Sequence, residues 1–175
     1  MHIEDQLILV DLDDVPIGSA GKAEVHRRGL LHRAFSVFLT DGERMLLQRR
    51  SRGKYHSGGL WANACCSHPR AGESLEQAVP RRLKEELGIS CPVEELFSFH
   101  YFSQYGPQLF EYELDHVFLG RWSGPVCPDP EEIEETRWVP FSQLRQELVE
   151  CPARFSTWFL IAAPRVLEHL AGTHN

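Results

Sequence analysis

The sequence predicts an α/β protein of the α+β kind, a mixed sandwich in which strands outnumber helices. Three observations carry this. Apolar segments of strand length recur along the chain. Helical periodicity is confined to a few stretches interspersed among them. No repeat, low-complexity tract or linker divides the 175 residues, a length that supports one full core and falls short of two.

The elements follow in order. "QLILVDLDDVPIGSA" reads as strand, turn, strand, with Asp13-Asp14 and Pro16 at the turn. "LHRAFSVFLTDGERMLLQRR" reads as a β-hairpin, because Asp41-Gly42 separates two apolar arms. "SLEQAVPRRLKEELG" reads as a helix: Ser74 caps it, Gln77 completes a capping box, Leu75, Val79, Leu83 and Leu87 share a face, and Gly88 ends it. Pro80 inside this helix lacks an amide hydrogen and is expected to bend its first turns. "LFSFHYFSQ" and "LFEYELDHVFLGRW" are two further strands. "EIEETRWVPFSQLRQEL" gives a strand and then a helix, and "RFSTWFLIAAPRVLEHL" a last helix with an expected kink near Pro164.

Composition narrows the function. Apolar residues make up 42% and charged residues 25%, ordinary for a globular protein. No apolar run reaches membrane-spanning length, and the N-terminus lacks the basic start of a signal peptide. Five cysteines without a secretory signal indicate reduced thiols and a cytoplasmic protein. A formal net charge of −7 counts against nucleic acid or an anionic membrane as partner. An anion can still bind where cations gather locally.

Several residues carry chemistry. In "WANACCSHPRAGES", Cys65 and Cys66 are adjacent and precede His68, a spacing that suits neither an ordinary disulfide nor a C-x-x-C pair. Arg82 and Glu86 share a helix face, and a solvated ion pair is the plain reading of that face. Glu111 and Glu113 lie two apart in a strand and point to one side, as a solvated edge or as a paired carboxylate site. His116, three residues beyond Glu113, faces the other side. Basic residues after the hairpin, Arg49, Arg50, Arg52 and Lys54, are most simply solvated.

The segment from Ser67 to Ile89 resembles the Nudix box, a loop-helix-loop that binds a divalent metal and a diphosphate. Glu73, Arg81, Leu83, Glu85, Glu86, Gly88 and Ile89 fall on its pattern in register. Two positions depart: Ser67 stands in place of the first Gly, and Arg82 in place of a metal-binding Glu. A guanidinium there weakens a hydrolase metal cluster and supplies a fork for phosphate. With "ANACCSHP", "GLLHRAFSVF" and "EYE" in the same order, nearly the whole chain is similar to type 1 isopentenyl-diphosphate Δ-isomerases.

The resemblance implies a Nudix-type α/β/α sandwich with a mixed β-sheet. It is expected to form one domain over residues 1–175, with a core from about 30 to 165 and an N-terminal β-hairpin extension over 1–29. It implies interconversion of isopentenyl and dimethylallyl diphosphate by protonation and deprotonation through a tertiary carbocation. Cys66 and Glu113 become the acid–base pair, and Tyr101 a hydrogen-bond partner of that glutamate. His26, His32, His68, Glu111 and Glu113 become a five-ligand site for Mn²⁺ or Zn²⁺. Glu86, with the Cys66 backbone, is expected to hold Mg²⁺ alongside the substrate phosphates. Lys22, Arg50, Lys54 and Arg82 become the diphosphate anchor, with Arg49 and Arg52 adding positive field, and Trp158 the π face that stabilises the cation.

Cys65 is expected to pack, as is Trp61 beneath the cysteine loop. His2, His56, His100, His116, His169 and His174 are given no role. The expected partner is a small allylic or homoallylic diphosphate, and the protein a monomer or weak homodimer. The N-terminal hairpin is expected to close over the pocket when substrate binds. Two alternatives stand beside this reading: a Nudix hydrolase of a nucleoside diphosphate derivative, disfavoured by Arg82, and a domain built on a structural zinc site, disfavoured by a carboxylate-heavy ligand set.

Overall fold

The computed structural model describes residues 5–173. Nine strands form one mixed sheet flanked by helices. In chain order these are β1 (Gln6–Val10), β2 (Pro16–Gly21), α1 (Lys22–Arg28), β3 (His32–Thr40), β4 (Arg44–Arg50), β5 (Trp61–Asn63), β6 (Cys65–Ser67), α2 (Leu75–Leu87), β7 (Val93–Gly106), β8 (Leu109–Arg121), β9 (Ile133–Pro140), α3 (Phe141–Glu150) and α4 (Thr157–Gly172). A single 3₁₀ turn, Pro152–Arg154, precedes α4.

The strand β3 organises the sheet. It pairs parallel with β8 along its whole length and antiparallel with β6 over Phe35–Val37. Its alternate residues are buried on opposite faces, as expected for a strand covered by helices on both sides. Phe35, Val37 and Leu39 pack with Val79, Leu83 and Leu87 of α2. Phe38 packs on the other face with Phe159, Ala162 and Val166 of α4. Each fully buried Phe or Leu contributes roughly 1.5–3 kcal/mol of transfer free energy, so both helices are held chiefly by these two apolar layers.

The helix α2 has the local chemistry expected of its sequence. The Ser74 hydroxyl accepts from the Gln77 amide, the Gln77 side chain accepts from the Ser74 amide, and Gly88 closes the helix at φ 67°. The helix continues through Pro80, as α4 does through Pro164.

Three expectations change. The segment Leu31–Arg50 is not a paired hairpin: Asp41 makes the turn, but β3 and β4 share only the Thr40–Met45 register pair. Beyond it β3 turns to β6 and β8, while β4 pairs with β5 and β9. The two arms thus belong to two halves of the sheet that splay from one point. Second, the N-terminal extension contains the helix α1 as well as strands. It has only Val25 and His26 buried, too few for an apolar period. Third, "WAN" and "CCS" are short strands rather than loop. His2 and His174 lie outside the described residues.

Candidate functional site

The pairing of β3 with β8 and β6 converts sequence into a site. Register places His32 opposite Glu113 and Ser36 opposite Cys66. Tyr101 on β7 lies opposite Glu113. The helix α1 adds Lys22 and His26, and β4 ends in Arg50. The loop from Ser51 to Leu60 brings Lys54, Tyr55 and His56, and α2 contributes Arg82. One pocket is lined by Lys22, Ser36, Arg50, Lys54, Tyr55, His56, Cys66, His68, Arg82, Tyr101, Glu111, Glu113, Glu132 and Trp158.

The adjacent cysteines separate by strand alternation. Cys65 is wholly buried in the layer beneath α2. Cys66 points to the opposite face and into the pocket. Its thiol donates to Asn63 Oδ1 at 3.1 Å and receives the Trp158 indole N–H at 3.2 Å. Burial pushes this thiol up to about 12 against the pull of the Arg50 charge, so it holds its proton at neutral pH. Asn63 is a hub that the sequence reading left without a role: its amide N–H groups also reach the Val37 and Cys65 carbonyls at 3.1 and 2.8 Å. Its place inside the quoted "ANACCSHP" was the available signal.

Across the pocket, His26, His32, His68, Glu111 and Glu113 each present a ligand atom, all within 4.8 Å of one another. The hydrogen bonds fit a cation. His26 Nδ1 lies 2.7 Å from the Lys22 carbonyl and His32 Nδ1 2.9 Å from the Leu30 carbonyl, so both donate there and leave Nε2 with its lone pair. His32 Nε2 is buried without a hydrogen-bond partner. His26 Nε2 lies 2.6 Å from Glu111 Oε1, and His68 Nε2 lies 2.9 Å from Glu113 Oε1. Burial lowers His68 to about 3, leaving the neutral ring a metal requires. Lone pairs facing carboxylates in a buried space repel unless a positive charge sits between them. The set therefore could hold a divalent ion, and imidazole with carboxylate suits Zn²⁺ or Mn²⁺. The Tyr101 hydroxyl donates to Glu113 at 3.0 Å.

The cations gather at the pocket's other end. Lys22, Arg50, Lys54 and Arg82 all line it. Arg82 pairs with Glu86 and, at 2.6 Å, with Glu85; Lys54 pairs with Glu132. Burial raises the Glu86 carboxyl above its usual range. The Arg50 guanidinium lies 4.9 Å over the Trp158 ring. Arg49 and Arg52 do not join this group. Arg49 pairs with Glu134 and Glu135 and lies over Trp61, and Arg52 pairs with Glu134. Register shifts between Arg49 and Arg50 in the β4–β9 pairing, a bulge of the kind that re-aims neighbouring side chains. Trp61 is buried in the layer beneath α4, where Arg137 also stacks on it. In the box, Glu73 receives two hydrogen bonds from Arg81 and one from the Arg70 amide, which ties the loop to α2.

Among the remaining histidines the expectations divide. His116 faces away from the cluster as its register predicts, paired with Asp14 and Glu95. His56 contradicts the absence of a role: it is buried in the pocket, with Nε2 2.8 Å from Glu111 Oε1. No periodicity marks a loop residue, so its sequence gave only proximity to Lys54.

Residues 30–159 match the family described as NUDIX domain. An isopentenyl-diphosphate Delta-isomerase 1 of Aromatoleum aromaticum is 48% identical over 94% of this chain and 94% of its own length. The chain belongs to the isopentenyl-diphosphate Delta-isomerase family. An isopentenyl-diphosphate Delta-isomerase 2 of Aromatoleum aromaticum is 46% identical over 95% of this chain and 88% of its own length, and one of Photorhabdus laumondii 47% identical over 90% and 89%. Solved structures extend the likeness of fold. A Deinococcus radiodurans protein superposes with a TM-score of 0.70 at 21% identity, covering 84% of this chain and 90% of its own. A MutT NUDIX hydrolase of Burkholderia pseudomallei gives 0.62 at 22%, covering 79% and 96%. Family and fold together place the isomerase on a mixed curled sheet with helices, as the Nudix resemblance implied.

Proposed function

We infer that this isomerase interconverts isopentenyl diphosphate and dimethylallyl diphosphate by proton addition and removal. One observation carries the assignment of roles: a thiol, Cys66, and a carboxyl group, Glu113, enter one pocket from strands on either side of β3. The reaction needs one group to give a proton to an unactivated alkene and another to remove a different proton. In the forward direction, a proton added at the terminal alkene carbon leaves a tertiary cation. Loss of the neighbouring C–H proton returns the electron pair to the new double bond, and no oxidant is needed.

Cys66 meets the requirement for a group that keeps its proton until the alkene takes it, and its thiolate is a base in the reverse sense. Glu113 takes or gives the second proton, held in place by the Tyr101 hydroxyl. The Trp158 ring supplies a π face, worth roughly 2 kcal/mol to a desolvated cation. Arg50 engages this ring, and its shift onto a bound diphosphate would release a face for the carbocation.

Lys22, Lys54, Arg50 and Arg82 are proposed to bind the diphosphate, and Glu86 with the Cys66 backbone to hold Mg²⁺ there. His26, His32, His68, Glu111 and Glu113 would hold Mn²⁺ or Zn²⁺, which when bound supplies positive charge that neutralises the paired carboxylates. A single domain with its core over 30–165, an N-terminal segment that closes over the pocket, a monomer or weak homodimer, and a cytoplasmic location complete the proposal. No helix among the described residues is long and apolar enough to cross a membrane.

The test is NMR of the metal-loaded protein with isopentenyl diphosphate and Mg²⁺ in D₂O. Dimethylallyl diphosphate carrying solvent deuterium is expected, and Cys66→Ala should abolish it. Unchanged isopentenyl diphosphate, with phosphate released from nucleotide diphosphate derivatives instead, would make the protein a hydrolase.

A further inference from the structure

The loop Ser51–Leu60 turns tightly to place His56 in the pocket. Ser57 adopts φ 54°, a conformation non-glycine residues rarely take. A Cβ on Gly58 would lie 3.1 Å from both the Ser51 and Arg52 carbonyl oxygens, so a side chain there would push this backbone out by a few tenths of an ångström. The His56 ring is then fixed on three sides. It stacks on Tyr105 at 4.4 Å and 11° between planes, meets Tyr55 edge-on at 4.7 Å, and meets Trp158 edge-on at 6.2 Å. Its nitrogens are both engaged, Nε2 at 2.8 Å from Glu111 Oε1 and Nδ1 at 3.1 Å from Ser57 Oγ. An ionised carboxylate only accepts, so Nε2 carries the hydrogen, and the neutral ring's Nδ1 accepts from the Ser57 hydroxyl.

We propose that His56 is a positioning residue of the metal centre, donating from Nε2 to Glu111 and fixing the orientation of that carboxylate. It lies outside the five-residue cluster and adds no ligand. It acts on Glu111 as outer partners act on metal ligands, by restricting the rotation of a group that must meet the ion. Glu111 otherwise has one long donor, Tyr101 at 3.4 Å, and the nearby His26. Because the same ten-residue loop carries Lys54, the support of the metal centre and a cation of the anion end are built into one segment. This inference rests on reading the cluster as a metal centre.

The experiment uses the full chain stripped by chelator and titrated with Zn²⁺ against a competing chelating dye, with the melting temperature of each metal-free protein in parallel. His56→Phe keeps the stacked ring and loses the donor; His56→Gln restores an N–H. H56F is expected to bind Zn²⁺ about 10- to 100-fold more weakly, with an unchanged metal-free melting temperature. H56Q should return to within a few-fold of the parent protein, about what a restored donor recovers. Unchanged affinity in H56F would overturn the proposal. So would equal losses in H56F and H56Q, with or without a fall in melting temperature, since the donor would then not be what matters. If the parent protein takes up no Zn²⁺, the metal reading itself fails and the proposal with it.

Discussion

Asn63 is fully buried and uses all of its hydrogen-bonding capacity. Two N–H groups go to the Val37 and Cys65 carbonyls, and Oδ1 accepts from Cys66 and Trp158. One side chain therefore orients both the proton-carrying thiol and the aromatic ring proposed to face the cation. Replacing it by Ala leaves buried donors and acceptors unpaired, at about 1–3 kcal/mol for each. Asn63→Ala is expected to lower kcat on the order of 100-fold, as misplacing a reacting group by an ångström does, while KM changes little because no diphosphate contact is lost. Steady-state kinetics on the folded fraction measures this, and a KM effect alone would show that Asn63 does not orient Cys66. At this scale the sequence was informative where alternation governs: Glu111 and Glu113 share a face because a strand repeats every two residues. It was silent on His56 and Tyr55, which reach the pocket through a turn whose shape depends on Ser57 and Gly58. It was also silent on Asp115, buried against Ser36, because nothing local reports what covers a strand face.

Among the elements, α2 was legible and the β3–β4 hairpin was not. Caps act within four residues, and Ser74, Gln77 and Gly88 behave as their types dictate. Strand partners are chosen at long range: Arg33–Thr40 pairs with residues 114–121, which no turn signal at Asp41 foretells. The box loop is fastened to α2 by Glu73 and Arg81, both mostly buried. The Arg81 hydrogen bond holds the Glu73 carboxyl below its ordinary range. A carboxyl depressed by folding stabilises the fold above its ordinary value, near 4.3, and loses that contribution as pH falls through its lower folded value. Glu73→Gln should thus cost about 1 kcal/mol at neutral pH, with the difference from the parent protein shrinking below about pH 4. Denaturant titrations at several pH values test the sign, and a difference that grows on acidification would contradict it.

Over the whole molecule, the apolar layers beneath α2 and α4 bury large side chains of their own, Phe38, Phe159, Leu83 and Leu87 among them, and meet the proposed metal centre through Tyr101, which packs in the α4 layer and donates to Glu113. The fold should therefore survive loss of the ion, unlike a domain whose only core is its metal. The net charge of −7 counts against polyanions, yet Lys22, Arg50, Lys54 and Arg82 collect in the pocket, where the proposed diphosphate would meet them. Chelation is expected to abolish isomerisation while leaving the far-UV circular dichroism of the sheet in place. Returning Zn²⁺ at about 100 times its dissociation constant should add about 2.7 kcal/mol of stability, a rise of roughly 5–10 °C in melting temperature for a domain of this size, together with activity once Mg²⁺ is present. A chelated protein that unfolds would make the ion structural, and one whose melting temperature ignores Zn²⁺ would mean that the buried carboxylates Glu111 and Glu113 are neutralised by their histidines alone.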